Sequence, residues 1–261
     1  MLKPFREIYR YRKTIGATTL YDIRKKYAGS VVGLGWHLLY PAVFLGLYAL
    51  VYLAVFEVRL PRFSSGEYVL AVFCGLIPFL SFAEALGRGV HTVTAHRDLI
   101  SNTLFPIEFM AVDIVLASQV PLLVGFTLLA AALSATGHGG MSYVLLLPVL
   151  AVQTLFTVGA VWVLAAVNVF VRDLGHLVGI VVLMLMMASP IAYTEEMIPE
   201  PLRPLLYLNP LYYPIVLYRK IFLFDTFDWG LFAVFAVISL LQFVGGYHFF
   251  VRLKRLFHEY L

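Results

Sequence analysis

Charge is what this sequence has least of. Asp, Glu, Lys and Arg make up only 13% of its 261 residues, against 61% that are hydrophobic, where soluble domains carry about 25% and 45–50%. That balance makes the chain an integral membrane protein by composition. Cysteine occurs once, as Cys74, which excludes a disulfide framework within the chain and a cysteine-based zinc site and leaves a small buried hydrophobe. There is no G-x-x-x-x-G-K-[ST] phosphate loop, so the chain does not hydrolyse ATP by that route. The seven histidines (His37, His91, His96, His138, His176, His248 and His258) include no pair at metal-ligand spacing. No carboxylate cluster gathers at one membrane face, as a membrane-embedded glycosyltransferase would need. No internal repeat marks the matched halves of a secondary transporter. The first 30 residues carry eight Lys and Arg and no signal-type apolar stretch, so no cleavable signal peptide is expected. The net charge of +4 reflects basic residues at span ends and calls for no nucleic acid.

What is present centres on Lys25–Phe56. A basic run, Arg24-Lys25-Lys26, meets a loop broken by Gly29, Ser30, Gly33 and Gly35. The loop feeds Leu34–Phe56, 23 residues without a charge, roughly 34 Å of helix and enough to cross a bilayer core. Within it Trp36, Tyr40, Phe44, Tyr48 and Tyr52 recur at spacing four, one slowly turning ridge. The ridge either faces lipid and neighbouring helices or lines a wet pathway; hydroxyls at the depth of Tyr40 and Tyr48 favour partners inside protein. Ahead of it, Leu20, Ile23 and Tyr27 at helical spacing with basic neighbours predict an amphipathic helix in the interface plane.

Six spans are predicted: 34–56, 68–87, 109–133, 141–171, 174–191 and 229–250. Pro148 in the fourth predicts a tilt or kink. With both termini in the cytoplasm, the inner segments hold fourteen Lys and Arg and the outer ones five, which sets that orientation. Glu84 and Arg88, four apart, are placed to pair, whereas Asp113 stands alone near the inner end of span three.

Three connections stand out. The cytoplasmic loop 91–106 has room for a short helix from Thr94 to Asn102 and is too apolar at Leu99, Ile100, Leu104 and Phe105 for a loop that touches only water. Val171-Arg172-Asp173-Leu174 is a tight turn between antiparallel spans. The outer segment 189–228 is broken by prolines, and its stretch 215–223 is too short to span; short helices dipping back into the outer leaflet and buried by protein would satisfy its backbone.

Lys26-Tyr27-Ala28-Gly29-Ser30 through Gly33-Leu34-Gly35-Trp36, Leu99-Ile100 with Phe105-Pro106, Val171-Arg172-Asp173-Leu174, Ser189-Pro190-Ile191, and Leu208-Asn209-Pro210-Leu211 followed by Tyr218-Arg219 occur in that order. Together they resemble the ABC-2 type polysaccharide exporter permeases, the Wzm-like and TagG-like subunits that move O-antigen, capsule or teichoic acid. The resemblance implies an all-α integral membrane protein of the bacterial plasma membrane. It would have six transmembrane helices with both termini inside, an N-terminal amphipathic interfacial helix (1–32), one transmembrane domain (33–252) and a cytoplasmic tail (253–261). It implies a homodimer with two copies of an ABC ATPase subunit, which would bind the ATP and Mg, so that this chain carries no cofactor and is not itself an enzyme. The cargo would be a lipid-linked polysaccharide, on an undecaprenyl diphosphate carrier in contact with membrane lipid. Arg97, Asp98, Leu99 and Ile100 would belong to the coupling helix. Tyr193, Tyr207, Asn209, Pro210, Tyr212 and Tyr213 would belong to an external gate at about 194–223. On this view Arg24, Lys25 and Lys26 hold the diphosphate head group, and Gly29, Ser30, Gly33 and Gly35 form the flexible loop that admits it. Trp36, Tyr40, Phe44, Tyr48 and Tyr52 then line the conduit. An exporter of a small molecule would keep the fold without needing a wide aromatic channel.

Overall fold

The structure, a computed structural model, describes residues 3–26, 30, 32–50, 65–95, 106–135, 137 and 140–260. Among them there is no strand. The helices are α1 (Lys3–Lys26), α2 (Trp36–Leu50), α3 (Ser65–Gly89), α4 (Glu108–Ala135), α5 (Leu146–Phe170), α6 (Leu174–Ala188), α7 (Arg203–Leu208), α8 (Tyr212–Phe224) and α9 (Trp229–Lys254), with single turns at Thr92–Ala95 and Phe257–Tyr260.

Four stretches are long and apolar enough to cross a membrane: Gly66–Gly89, Glu108–Ala135, Met141–Phe170 and Trp229–Lys254. They match four of the six expected spans. The first expected span is described only over α2, and its remainder lies outside the described residues. The fifth, α6, has 15 residues, about 22 Å of helix against a core of about 30 Å. It stops at Ala188 because Ser189 precedes a proline, which disfavours helical backbone there; Ser189 is extended, at φ −90° and ψ 142°. The kink expected at Pro148 is replaced by a change of helix type. Met141–Leu145 is a 3-10 helix that runs into α5, and Pro148 sits in the first turn of α5, where a missing N–H costs little.

The closest helix pair is α5 with α9, and two glycines permit it. A Cβ on Gly159 would lie 2.5 Å from the Gln242 carbonyl oxygen and 2.8 Å from the Phe243 Cα, while one on Gly246 would overlap the Gly159 carbonyl. Small residues let backbones touch where lipid offers no hydrophobic drive for helices to associate. Trp162 fills the space beside the crossing, with ring centres 5.0 Å from Phe243 and 5.3 Å from Tyr247. Buried polar groups tie the other helices on. Tyr218 of α8 donates to Gln153 Oε1 at 2.8 Å, and Gln153 Nε2 donates to the Pro78 carbonyl of α3 at 3.1 Å.

The N-terminal helix is seated on the bundle by a face other than the apolar stripe expected to meet the membrane. Its packed stripe is Ile8, Tyr11, Ile15 and Thr19, whereas Leu20 is 48% exposed and Tyr27 lies outside the described residues. The stripe contains a polar member because Asp113 of α4 receives it: Thr18 Oγ1 donates to Oδ2 at 2.6 Å and Thr19 Oγ1 to Oδ1 at 3.0 Å. Asp113, isolated in the sequence, is therefore the dock for α1. Farther toward the N-terminus, the Phe5 ring centre lies 4.9 Å from that of Phe243, Tyr11 packs on Phe109, and the Tyr247 hydroxyl donates to Glu7.

The α5–α9 crossing makes a sharp prediction. Gly246→Ala should lower the stability of the solubilised protein by about 1–3 kcal/mol, the usual range for overpacking, seen as a lower midpoint for loss of the monodisperse peak on heating. Gly245→Ala, whose Cβ would meet nothing within 4 Å, should leave it unchanged.

Candidate functional site

Two regions gather the residues singled out above. The first lies where α1 hands over to α2. Arg24 and Lys25 are exposed, and the Lys25 ammonium stands 5.9 Å from the centre of the Tyr21 ring. The side chain of Lys26, Gly29 and Tyr52 lie outside the described residues, as do the side chains of Phe44 and Tyr48. The rest of the loop is a hydrogen-bonded corner rather than a loose tether. Ser30 Oγ accepts from the Trp36 indole at 2.9 Å and from the Gly33 N–H at 3.3 Å. Gly33 has φ +55°, a backbone that other L-residues adopt only with strain. A Cβ on Gly35 would sit 3.0 Å from a Val32 methyl, so the turn is tight there too. Trp36 and Tyr40 face out of the single-chain bundle, 39% and 58% exposed.

The expected coupling residues, Arg97 to Ile100, lie outside the described residues. Their flanks are described. On one side Glu84 and Arg88 make the expected pair at 3.3 Å, and the turn Thr92–Ala95 is buried at Thr92 and Val93. Asn168 Nδ2 donates to Thr94 Oγ1 at 3.5 Å, and a Cβ on Gly175 would overlap the His91 ring, which would have to move. The α5–α6 corner thus leans on the start of the connection between α3 and α4. On the other side, Glu108 is buried at the head of α4. Its carboxylate pairs with Lys254 at 2.6 Å, and its carbonyl accepts from Trp162 at 2.8 Å.

The second region is the segment 189–228, where motifs twenty and more residues apart meet. Asn209 Nδ2 donates to Ser189 Oγ at 2.9 Å while its Oδ1 accepts from the Leu211 N–H at 3.0 Å, so Asn209 both closes the turn through Pro210 and ties it to the end of α6. Arg219, only 8% exposed, reaches the carbonyls of Pro190, Ile191 and Tyr193. The Tyr207 and Tyr212 hydroxyls donate to the two oxygens of Glu195, each at 2.8 Å, and the Tyr213 hydroxyl donates to the Tyr207 carbonyl at 2.9 Å. The Tyr193 hydroxyl donates to the Ala188 carbonyl at 2.9 Å. The bond to Glu195 raises Tyr207 above the usual phenol range. Tyr212 is raised by burial and then by the same carboxylate. After α8 the chain turns through Asp225 in a left-handed conformation, φ 49°. Its carboxylate accepts from the Ser142 N–H at 3.1 Å and is lowered by its bonds to Ser142.

Sequence reasoning singled out Tyr193, Tyr207, Asn209, Tyr212 and Tyr213 but assigned no role to Glu195, to Arg219, or to Tyr68, whose hydroxyl donates to the Ala192 carbonyl at 2.8 Å. The signal for Arg219 was a pair of cations, Arg219 and Lys220, inside the mostly apolar run 215–223, since a buried ionisable group in a membrane protein marks a partner or a site. Among the described residues no group of three His, Cys, Asp or Glu side chains comes together to hold a metal ion.

A family model described as the ABC-2 type transporter matches residues 15–223. The chain is also similar to the O-antigen export system permease protein RfbA of Myxococcus xanthus, 29% identical over 225 residues, 85% of each chain. Two O-antigen export system permease proteins RfbA of Klebsiella pneumoniae are each 26% identical over 242 residues, 92% of each chain.

The tyrosine pair on Glu195 can be tested by alkaline titration. A hydroxyl whose pKa is raised by folding adds stability that is fully present below the unfolded phenol value of about 10 and is lost as pH rises through the folded value. Glu195→Ala should bring both ionisations back toward about pH 10, read by ultraviolet difference spectroscopy against Tyr207→Phe and Tyr212→Phe controls.

Proposed function

Because the chain belongs to the ABC-2 type transporter family, we propose that it is the membrane subunit of an ATP-driven exporter that moves a polysaccharide across the bacterial inner membrane. The observation that carries the cargo assignment is the set of relatives named for O-antigen export, which match the chain nearly end to end. The chain itself has no phosphate loop, so ATP is hydrolysed on a separate ABC ATPase subunit and this subunit supplies the path.

In the finer reading, two copies of the chain form the path and two ATPase subunits dock on Arg97, Asp98, Leu99 and Ile100. The buried flanks of that loop support this, because a push at Pro106 reaches α9 through Glu108 and Lys254 and reaches α5 through Trp162. The cargo is carried on undecaprenyl diphosphate. Arg24 and Lys25, exposed beside the membrane-entering corner, together with Lys26, attract the diphosphate. The corner through Ser30, Gly33 and Gly35 sets the angle at which the aromatic ridge of α2 begins. The ridge then offers ring faces to sugar faces in repeated weak contacts, which suit a polymer that must keep moving. Segment 194–223, with α8 as a re-entrant helix, closes the outer end.

Loss of the chain from its host should trap lipid-linked polysaccharide on the inner face while synthesis continues, measured by extracting the lipid-linked pool and probing the cell surface for glycan. Surface glycan at normal levels in the deletion strain refutes the cargo assignment and favours a small-molecule exporter. Replacing Arg24, Lys25 and Lys26 together with Gln should lower export severalfold at unchanged membrane orientation and unchanged binding of the ATPase. For the ridge, a cysteine at Tyr40 in a Cys74→Ala background should react with a membrane-impermeant thiol reagent, and more so when ATP and cargo are present. A cysteine at Ala42, exposed and about 160° around α2 from Tyr40, should stay unreactive. Equal labelling of the two in every nucleotide state would show that the ridge is not the path.

A further inference from the structure

Between the end of α6 and the short turn Glu195–Met197 the backbone leaves the helix, yet each successive carbonyl from Ala188 to Tyr193 is taken. Ala188 accepts from the Tyr193 hydroxyl at 2.9 Å and Ser189 from the Ile191 N–H at 2.7 Å. Pro190 and Ile191 accept from Arg219 Nη2 at 2.8 and 2.9 Å, Ala192 from the Tyr68 hydroxyl at 2.8 Å, and Tyr193 from Arg219 Nη1 at 3.3 Å. Three of the six are held by one guanidinium. Its acceptors are main-chain oxygens rather than a carboxylate, and the C-terminal end of α6 adds partial negative charge beside it. A planar fork with five N–H groups spans carbonyls that are set apart along the backbone, whereas a lysine gathers its three N–H groups on one atom.

Two further ties act on the same segment. Asn209 holds Ser189, and α3 presses on it at Gly75, where a Cβ would lie 2.8 Å from Ile215 Cγ2 and 3.5 Å from Ile191 Cα. Cys74, next to this contact, is fully buried.

We propose that Arg219 is a positioning residue that welds the segment Ser189–Tyr193, helix α8 and the outer end of α3 into one rigid body, so that the outer mouth opens by movement of that body and not by the segment peeling away from α8. The proposal rests on the transporter reading above. It differs from a simple hinge at the proline-rich loop, because every carbonyl a hinge would have to release is bonded to a side chain of α3 or α8 or within the segment itself.

The test uses the full chain with its ATPase subunit in proteoliposomes. In the first arm, Ser189→Cys and Asn209→Cys are combined in a Cys74→Ala background and joined by a short thiol–thiol cross-linker. If the segment and α8 move together, cross-linked and reduced protein show the same export and the same ATPase turnover. A cross-link that stops turnover while the reduced protein works overturns the proposal. In the second arm, Arg219→Gln should still bind the ATPase and hydrolyse ATP but move at least tenfold less cargo per ATP, and the native Cys74 should become reactive to thiol reagent. Arg219→Lys, which keeps the charge without the fork, should show the same loss. Normal export from Arg219→Gln with Cys74 unreactive also overturns it. Where Arg219→Gln fails to assemble, the cross-link decides. ATPase turnover and Cys74 reactivity need no particular cargo, so absence of glycan export by the unmodified protein refutes the cargo reading alone.

Discussion

Among the described residues, the buried polar groups that pair between helices arrange the fold, because a bilayer core offers them no other partner. An unpaired buried donor or acceptor costs about 1–3 kcal/mol, so each pairing fixes the elements that supply it. Asp113 places α1 against α4, and Glu108 joins the head of α4 to the ends of α5 and α9. Gln153 links α8 to α3, and Arg219 gathers the backbone beyond α6. The apolar surfaces fill the space between these fixed points, and at Gly159 and Gly246 they do so with backbone against backbone.

The pairings explain which parts of the structure were legible in the sequence. Helical spacing is local, so the Glu84–Arg88 pair and the long spans could be read directly. The halves of the outer node were visible as separate motifs, Ser189-Pro190-Ile191 and Asn209-Pro210-Leu211. Their union through Asn209 and Arg219 joins residues twenty or more positions apart, which no periodicity encodes. The seat of α1 on the bundle was hidden in the sequence for a similar reason. Counting apolar residues selected Leu20 and passed over Thr19, because the burial of Thr19 depends on a carboxylate more than ninety positions away. The end of α6 at Ala188 was readable after all, from the proline two residues on.

The surfaces left uncovered have a pattern of their own. Along α6 only Val178 is buried, and Leu177, Ile180, Val181, Leu183, Met184 and Met187 are all exposed. Along α2 the exposed residues include Leu39, Val43 and Leu47 beside Trp36 and Tyr40. These are the two least enclosed of the apolar helices, and both are shorter within the described residues than the four long spans. Their outward faces meet bilayer or protein rather than water, in keeping with the two-copy arrangement proposed above.

The docking of α1 also bears on how the chain is made. The Tyr247 hydroxyl that binds Glu7 lies 240 positions further along the sequence, and Phe243 stands just before it. During synthesis the first helix leaves the ribosome long before its partners exist. At about 5–20 residues per second Glu7 waits on the order of ten seconds or more for Tyr247, well after Thr19 has met Asp113. The Phe5–Glu7 end of α1 is therefore among the last parts to be seated, and completion of α9 is the event that lets it close onto the bundle.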